Sequence, residues 1–197
     1  TNSYYFFIKH LVFIFLAILM LIIFSFFEKI KLLNICLILF SLFFTQAFGN
    51  QTKHLGSFGK WEAWVAPMDK GKYCYISSEP EKSEGKYTRR GNVYAMVAHR
   101  SDKKSPGVVN IESGYPFKAG SFVKITIDDT EVFKLFTEGQ QAWASNESDD
   151  RKLVLAMKSG LKMLIEGVST RGTKTLDTFS LSGFSRSYKK ILSECKQ

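Results

Sequence analysis

Phe122-Val123-Lys124-Ile125-Thr126-Ile127 alternates apolar and polar side chains. Val123, Ile125 and Ile127 share one face against Lys124 and Thr126, the two-residue period of a strand that packs on one side only. On either side of it, Trp61 to Ala66, Lys72 to Ser77, Val93 to Arg100, Val108 to Ser113, Val132 to Thr137, Lys162 to Ser169 and Thr173 to Ser182 are also short and rich in β-branched and aromatic residues. Gly, Pro, Asn, Asp or Lys clusters separate them. Many such strands at short spacing predict an antiparallel sandwich or barrel.

Two helices interrupt the pattern. Ser148-Asp149-Asp150 supplies an N-cap and early acids, Leu153, Ala156 and Met157 make an apolar stripe, and Gly160 supplies a stop, which predicts a helix over 149–159. A second helix is predicted after Ser185, with Tyr188, Ile191, Leu192 and Cys195 at i, i+3, i+4 and i+7.

The N-terminal 49 residues read differently. Leu32 to Phe44 is apolar apart from Asn34 and Ser41, follows Lys29 and Lys31, and ends in Thr45-Gln46-Ala47-Phe48-Gly49. That is the charged, apolar, small-residue order of a secretory signal, with cleavage expected after Gly49. An apolar run of about a dozen residues is short for a bilayer span, which takes roughly 20. Upstream, Leu11 to Phe27 is a second apolar run, read either as an extension ahead of a start such as Met20 or as a transmembrane anchor. Either way Lys29 and Lys31 stay cytoplasmic, so the body from residue 50 onward is expected outside the cytoplasm, periplasmic or secreted. Membrane contact is expected only through these apolar segments.

The cysteines follow from that placement. Cys36 falls in the leader, leaving Cys74 and Cys195 in the body. Two cysteines in an exported domain pair as a rule. If Cys74 and Ile76 point inward from their strand, the C-terminal helix can bring Cys195 to Cys74. The alternatives are two buried thiols, or metal ligation for which only His54 and His99 would be at hand.

Subtracting Lys9, Lys29, Lys31 and Glu28 from the chain's net charge of +9 leaves +7 on residues 50–197. The lysines are scattered, as on a solvated surface, and no motif or stripe for nucleic acid is present. Lys86-Tyr87-Thr88-Arg89-Arg90 is the one local basic group. Arg89 and Arg90, with Arg171 at the predicted hairpin tip Arg171-Gly172-Thr173, are the candidate surface-binding residues. Trp61, Trp64, Trp143, Tyr115 and Phe117 are assigned to the core, with an exposed patch as the alternative. Asn50-Gln51-Thr52 and Asn146-Glu147-Ser148 match the glycosylation pattern and receive no weight.

No hydrolase elbow, phosphate loop or metal-ligand cluster is present, and no cofactor, catalytic residue or metal site is assigned. The rival enzymatic reading is a secreted hydrolase with His99 oriented by Asp177 and a serine such as Ser182 as nucleophile.

Several ordered motifs carry a resemblance that covers nearly all of the body. They are Phe58-Gly59-Lys60-Trp61-Glu62, Cys74-Tyr75, Ser78-Glu79-Pro80, Lys82-Ser83-Glu84-Gly85 with Tyr87 and Arg89-Arg90-Gly91, His99-Arg100, Gly114-Tyr115, Phe133 to Thr137, Ala142-Trp143 and Ser169 to Ser185. In these the chain resembles the invasion-associated locus B protein family. The resemblance implies an exported alphaproteobacterial protein with an antiparallel, immunoglobulin-like β-sandwich, no attached catalytic residues, and the same Cys74 and Cys195 pairing. The expectation is therefore a mainly β sandwich over residues 50–197 with two short helices, preceded by an apolar leader over 1–49. Its expected role is a non-enzymatic envelope module that binds a protein or an envelope component. A membrane-tethered structural module is the remaining alternative.

Overall fold

The computed structural model describes residues 51–102 and 107–195. The leader with Cys36, its cleavage point and the apolar run Leu11 to Phe27 lie outside the described residues. Residues 50–197 form a compact unit of their own.

The strands are β1 (Lys53–Phe58), β2 (Trp61–Pro67), β3 (Lys72–Ser78), β4 (Lys82–Gly85), β5 (Tyr94–Arg100), β6 (Val108–Glu112), β7 (Phe122–Ile127), β8 (Glu131–Glu138), β9 (Gln141–Trp143), β10 (Lys162–Val168) and β11 (Lys174–Ser180). Helix α1 (Glu147–Ser159) precedes β10, and α2 (Phe184–Glu194) follows β11. All pairings are antiparallel, in the order β1-β2-β3-β5-β6-β9-β8-β7-β10-β11-β4. The mainly β, sandwich-like architecture is as expected, but the two layers are one continuous sheet, joined through β6, β9 and β8. A single core takes side chains from both layers and both helices: Trp61, Ile76 and Val97 with Ile125, Met163 and Phe179, and Leu153, Phe184 and Ile191.

Alternation places these residues. Val123, Ile125 and Ile127 are buried as the period requires; Thr126, on the other face, is also buried. The layers meet where the β1–β2 turn docks on the junction between β11 and α2. There the Lys60 amide donates to the Ser182 carbonyl at 3.0 Å, and Trp61 Nε1 donates to the Ser180 carbonyl at 3.0 Å. Gly183 (φ 91°) lies against Phe58 so closely that a Cβ would run into the Phe58 carbonyl, so this seal requires glycine twice over.

Both helices begin earlier than the capping pattern suggests. Asn146, not Ser148, caps α1: its Oδ1 accepts the Asp149 amide at 3.1 Å. Helix α2 starts at Phe184 because that side chain is fully buried, edge-on to Trp61 with ring centroids 4.9 Å apart, and the Gly183 carbonyl takes the Ser187 amide. Strands β1, β4 and β9 were not anticipated. Strand β4, Lys82-Ser83-Glu84-Gly85, is exposed throughout and pairs with β11 on one edge.

Cys74 and Cys195 are bonded, with Cα atoms 6.1 Å apart across 121 residues of sequence, and both are buried. Tyr188, Ile191 and Cys195 form the buried stripe of α2, which lies over β1, β2, β3 and β5. No helix among the described residues is long and apolar enough to cross a membrane.

Candidate functional site

The segment from Lys86 to Val93 links β4, at the far edge of one layer, to β5 in the other. Its direction is fixed by Arg90, which turns inward. Arg90 Nη1 and Nη2 donate to Asp177 Oδ1 and Oδ2 at 2.7 and 2.6 Å, and Nε donates to the Ser113 carbonyl at 2.7 Å. The guanidinium carbon lies 5.5 Å from the Tyr87 ring centre and 5.0 Å from that of Tyr115. Only 5% of the Arg90 side chain and 3% of that of Asp177 is exposed. Burial opposes the charge on Arg90, but its hydrogen bonds to Asp177 and the field of that carboxylate outweigh it and raise its pKa above the ordinary value. Burial likewise raises Tyr115, whose hydroxyl is 2.6 Å from Thr175 Oγ1.

This corrects one sequence expectation. Arg90 is not a surface-binding residue: its side chain is buried, and Nε, Nη1 and Nη2 each donate to a partner inside the fold. Each oxygen of Asp177 accepts from Arg90. His99 is half-buried on β5 and pairs in register with Cys74.

An inward Arg90 leaves its neighbour Arg89 outward and exposed. Across from it, Arg171-Gly172-Thr173 is the predicted hairpin tip, closed by the Gly172 amide on the Ser169 carbonyl and the Ser169 amide on the Thr173 carbonyl. The Gly114-Tyr115-Pro116 corner joins the two. The Gly91 amide donates to the Gly114 carbonyl, the Thr170 amide donates to the Pro116 carbonyl, and Gly114 (φ 69°) leaves no room for a Cβ beside Gly91. The result is a cleft of about 760 Å³ with Arg89 and Arg171, about 80 residues apart in sequence, on facing walls. It continues into a groove of about 580 Å³ lined by Lys86, Arg171 and Lys174.

Among the described residues, no carboxylate lines either space. Lys86, Arg89, Arg171 and Lys174 are exposed and make no ion pair among the described residues. The hydroxyl residues Thr88, Ser169, Thr170 and Thr173 and the ring of Tyr87 also line the cleft. Such a cleft attracts and hydrogen-bonds an anion. Lys86 belongs to the local basic group of the sequence, whereas Lys174 carries no such signal; the register of β4 on β11, which sets Gly85 opposite Thr175, brings them together.

The aromatic residues divide. Trp61 and Phe117 are buried as assigned, whereas Trp64 is half-buried on the outer face, 6.4 Å from Tyr75 and 4.5 Å from His54 between ring centres. Tyr73, Tyr75, Tyr94 and Met96 line a second cleft of about 860 Å³ on that face, with Glu62, Glu79 and Glu81 at its edge. The alternation of Tyr73 and Tyr75 with Cys74 was the signal for it. Among the described residues, no group of His, Cys, Asp and Glu is arranged to hold a metal ion.

A family model described as Invasion associated locus B (IalB) protein matches residues 61–192. No curated protein and no solved structure is significantly similar to the chain. The matched span contains both cysteine-bearing strand and ion-paired loop and ends within α2, and the family is not a known enzyme family. The chain belongs to the invasion associated locus B family.

Proposed function

We propose that this protein is an exported, non-enzymatic binding module of the bacterial envelope, and that it holds an anionic envelope component in the cleft between Arg89 and Arg171. The observation that carries the reading is a cleft lined by Arg89 and Arg171 with no carboxylate among its described lining residues to neutralise them. Unpaired like charges facing one another raise the energy of the empty site, and an anion relieves it. Export is supported by the leader sequence and by the buried Cys74–Cys195 disulfide, a bond that persists in oxidising compartments.

Two measurements on the full chain expressed in its own type of cell test the reading. Alkylation of the intact cells followed by mass spectrometry is expected to find Cys74 and Cys195 oxidised in the extracytoplasmic fraction. Isolated envelopes are expected to sediment the oxidised protein, and to release it as salt screens the cleft. Protein found reduced in the cytoplasm, or left in the supernatant by envelopes at low salt, contradicts the proposal.

A further inference from the structure

We infer that the cleft is built for a phosphorylated saccharide rather than for anions in general. The inference rests on the binding role proposed above and names its ligand class. Three features narrow the class. Arg89 and Arg171 both line the cleft, and a planar guanidinium fork matches the oxygens of a phosphate better than one lysine point charge does. Between them lie the hydroxyls of Thr88, Ser169, Thr170 and Thr173, which both donate and accept and so pair with sugar hydroxyls as an acidic peptide would not need. Tyr87, 38% exposed, is set by the Arg90 guanidinium over its ring and gives the flat apolar surface on which the C–H face of a sugar rests.

Arg90 is already satisfied by Asp177 and Ser113, so it does not compete for the ligand; it holds Tyr87 and Tyr115 in place while Arg89 and Arg171 make the contacts. A volume of about 760 Å³ suits one or two sugar rings with a phosphate, not an extended polymer. The phosphate can belong to a free sugar phosphate or to the headgroup of a phosphorylated glycolipid.

The test uses ¹⁵N-labelled, oxidised residues 50–197, which hold the whole core, titrated with glucose 6-phosphate, glucose, inorganic phosphate and a hexaglutamate peptide. Glucose 6-phosphate is expected to move the amides of Arg89, Gly91, Arg171 and Gly172 and to saturate, with inorganic phosphate weaker, and glucose and hexaglutamate inert. Arg89→Ala and Arg171→Ala are each expected to weaken binding about tenfold, and the Lys replacements, which keep charge but lose the fork, by a smaller factor. Lys134→Ala, at an exposed position of β8, controls for net charge. Vesicles of phosphatidylcholine with and without a diphosphorylated glucosamine-disaccharide lipid separate the sources: capture by the lipid-containing vesicles assigns the headgroup, and binding in solution alone assigns the free sugar. Hexaglutamate binding as well as glucose 6-phosphate, or binding that survives in the double alanine variant, overturns the inference. Envelope sedimentation that persists while every phosphosugar probe fails overturns the ligand class and leaves the binding role standing.

Discussion

The domain is tied at opposite ends of β5. At one end Cys74, paired in register with His99, is bonded to Cys195 across 121 residues of sequence. At the other, Arg90 enters from the loop before β5 and grips Asp177 on β11 across 87. The two ties solve different problems. The disulfide fixes a helix to the sheet that it covers and acts on the unfolded chain by shortening it. The ion pair fixes one layer to the other and keeps its strength in the folded state only while both partners remain, because either charge left alone is buried without compensation.

Breaking each tie separates these accounts, beginning with the larger loss. Cys74→Ser with Cys195→Ser, or reduction of the native bond, is expected to cost up to about 5 kcal/mol in a urea melt, the chain-entropy value for a loop of this length. Asp177→Ala is expected to cost about 3–5 kcal/mol, whereas Arg90→Met with Asp177→Leu, which removes both charges at similar volume, costs clearly less than Asp177→Ala alone. A double variant as unstable as the single would show that the pair acts through its net attraction rather than through the orphaned charge.

A third charge sharpens the contrast through pH. Asp150, buried at the start of α1, accepts the Val109 amide at 2.9 Å, but burial dominates and raises its pKa. A carboxyl with a raised folded-state pKa binds more protons folded than unfolded, so its contribution to stability falls as pH rises from the ordinary carboxyl range through the folded pKa. Asp150→Asn, whose amide oxygen can still accept from Val109, is expected to remove that component from the pH profile measured by thermal melts between mild acid and neutrality. The smallest effect belongs to Lys72 and Glu194, an exposed pair at 2.9 Å beside the disulfide. The hydrogen bond from Lys72 lowers the Glu194 pKa, giving a contribution present at neutral pH and lost as the solution is acidified. Glu194→Gln is expected to change stability by less than about 1 kcal/mol, since the pair is solvated.

The sequence was most legible where burial imposes a period. Val123, Ile125 and Ile127, the stripe of α2, and the inward Cys74 and Ile76 could be read because one face of each element is apolar. Strand β4 carried no such pattern, since an edge strand with both faces in solvent is specified by its partner's backbone. The cleft was half legible. Arg89 and Arg171 stood out as a local basic group and a hairpin tip, but only the register of β11 and the Gly114 corner put them on facing walls. That Arg90 would turn inward, unlike its neighbour, depends on Asp177, a partner 87 positions away that no local pattern connects to it.

The most direct test of the account compares the oxidised full chain with its Arg89→Ala, Arg171→Ala double variant and with Lys134→Ala in sedimentation by isolated envelopes at low salt. Both arginines are exposed and unpaired among the described residues, so the double variant should fold as the parent does. The account predicts that parent and Lys134→Ala sediment alike while the double variant stays in the supernatant; equal sedimentation of all three would contradict it.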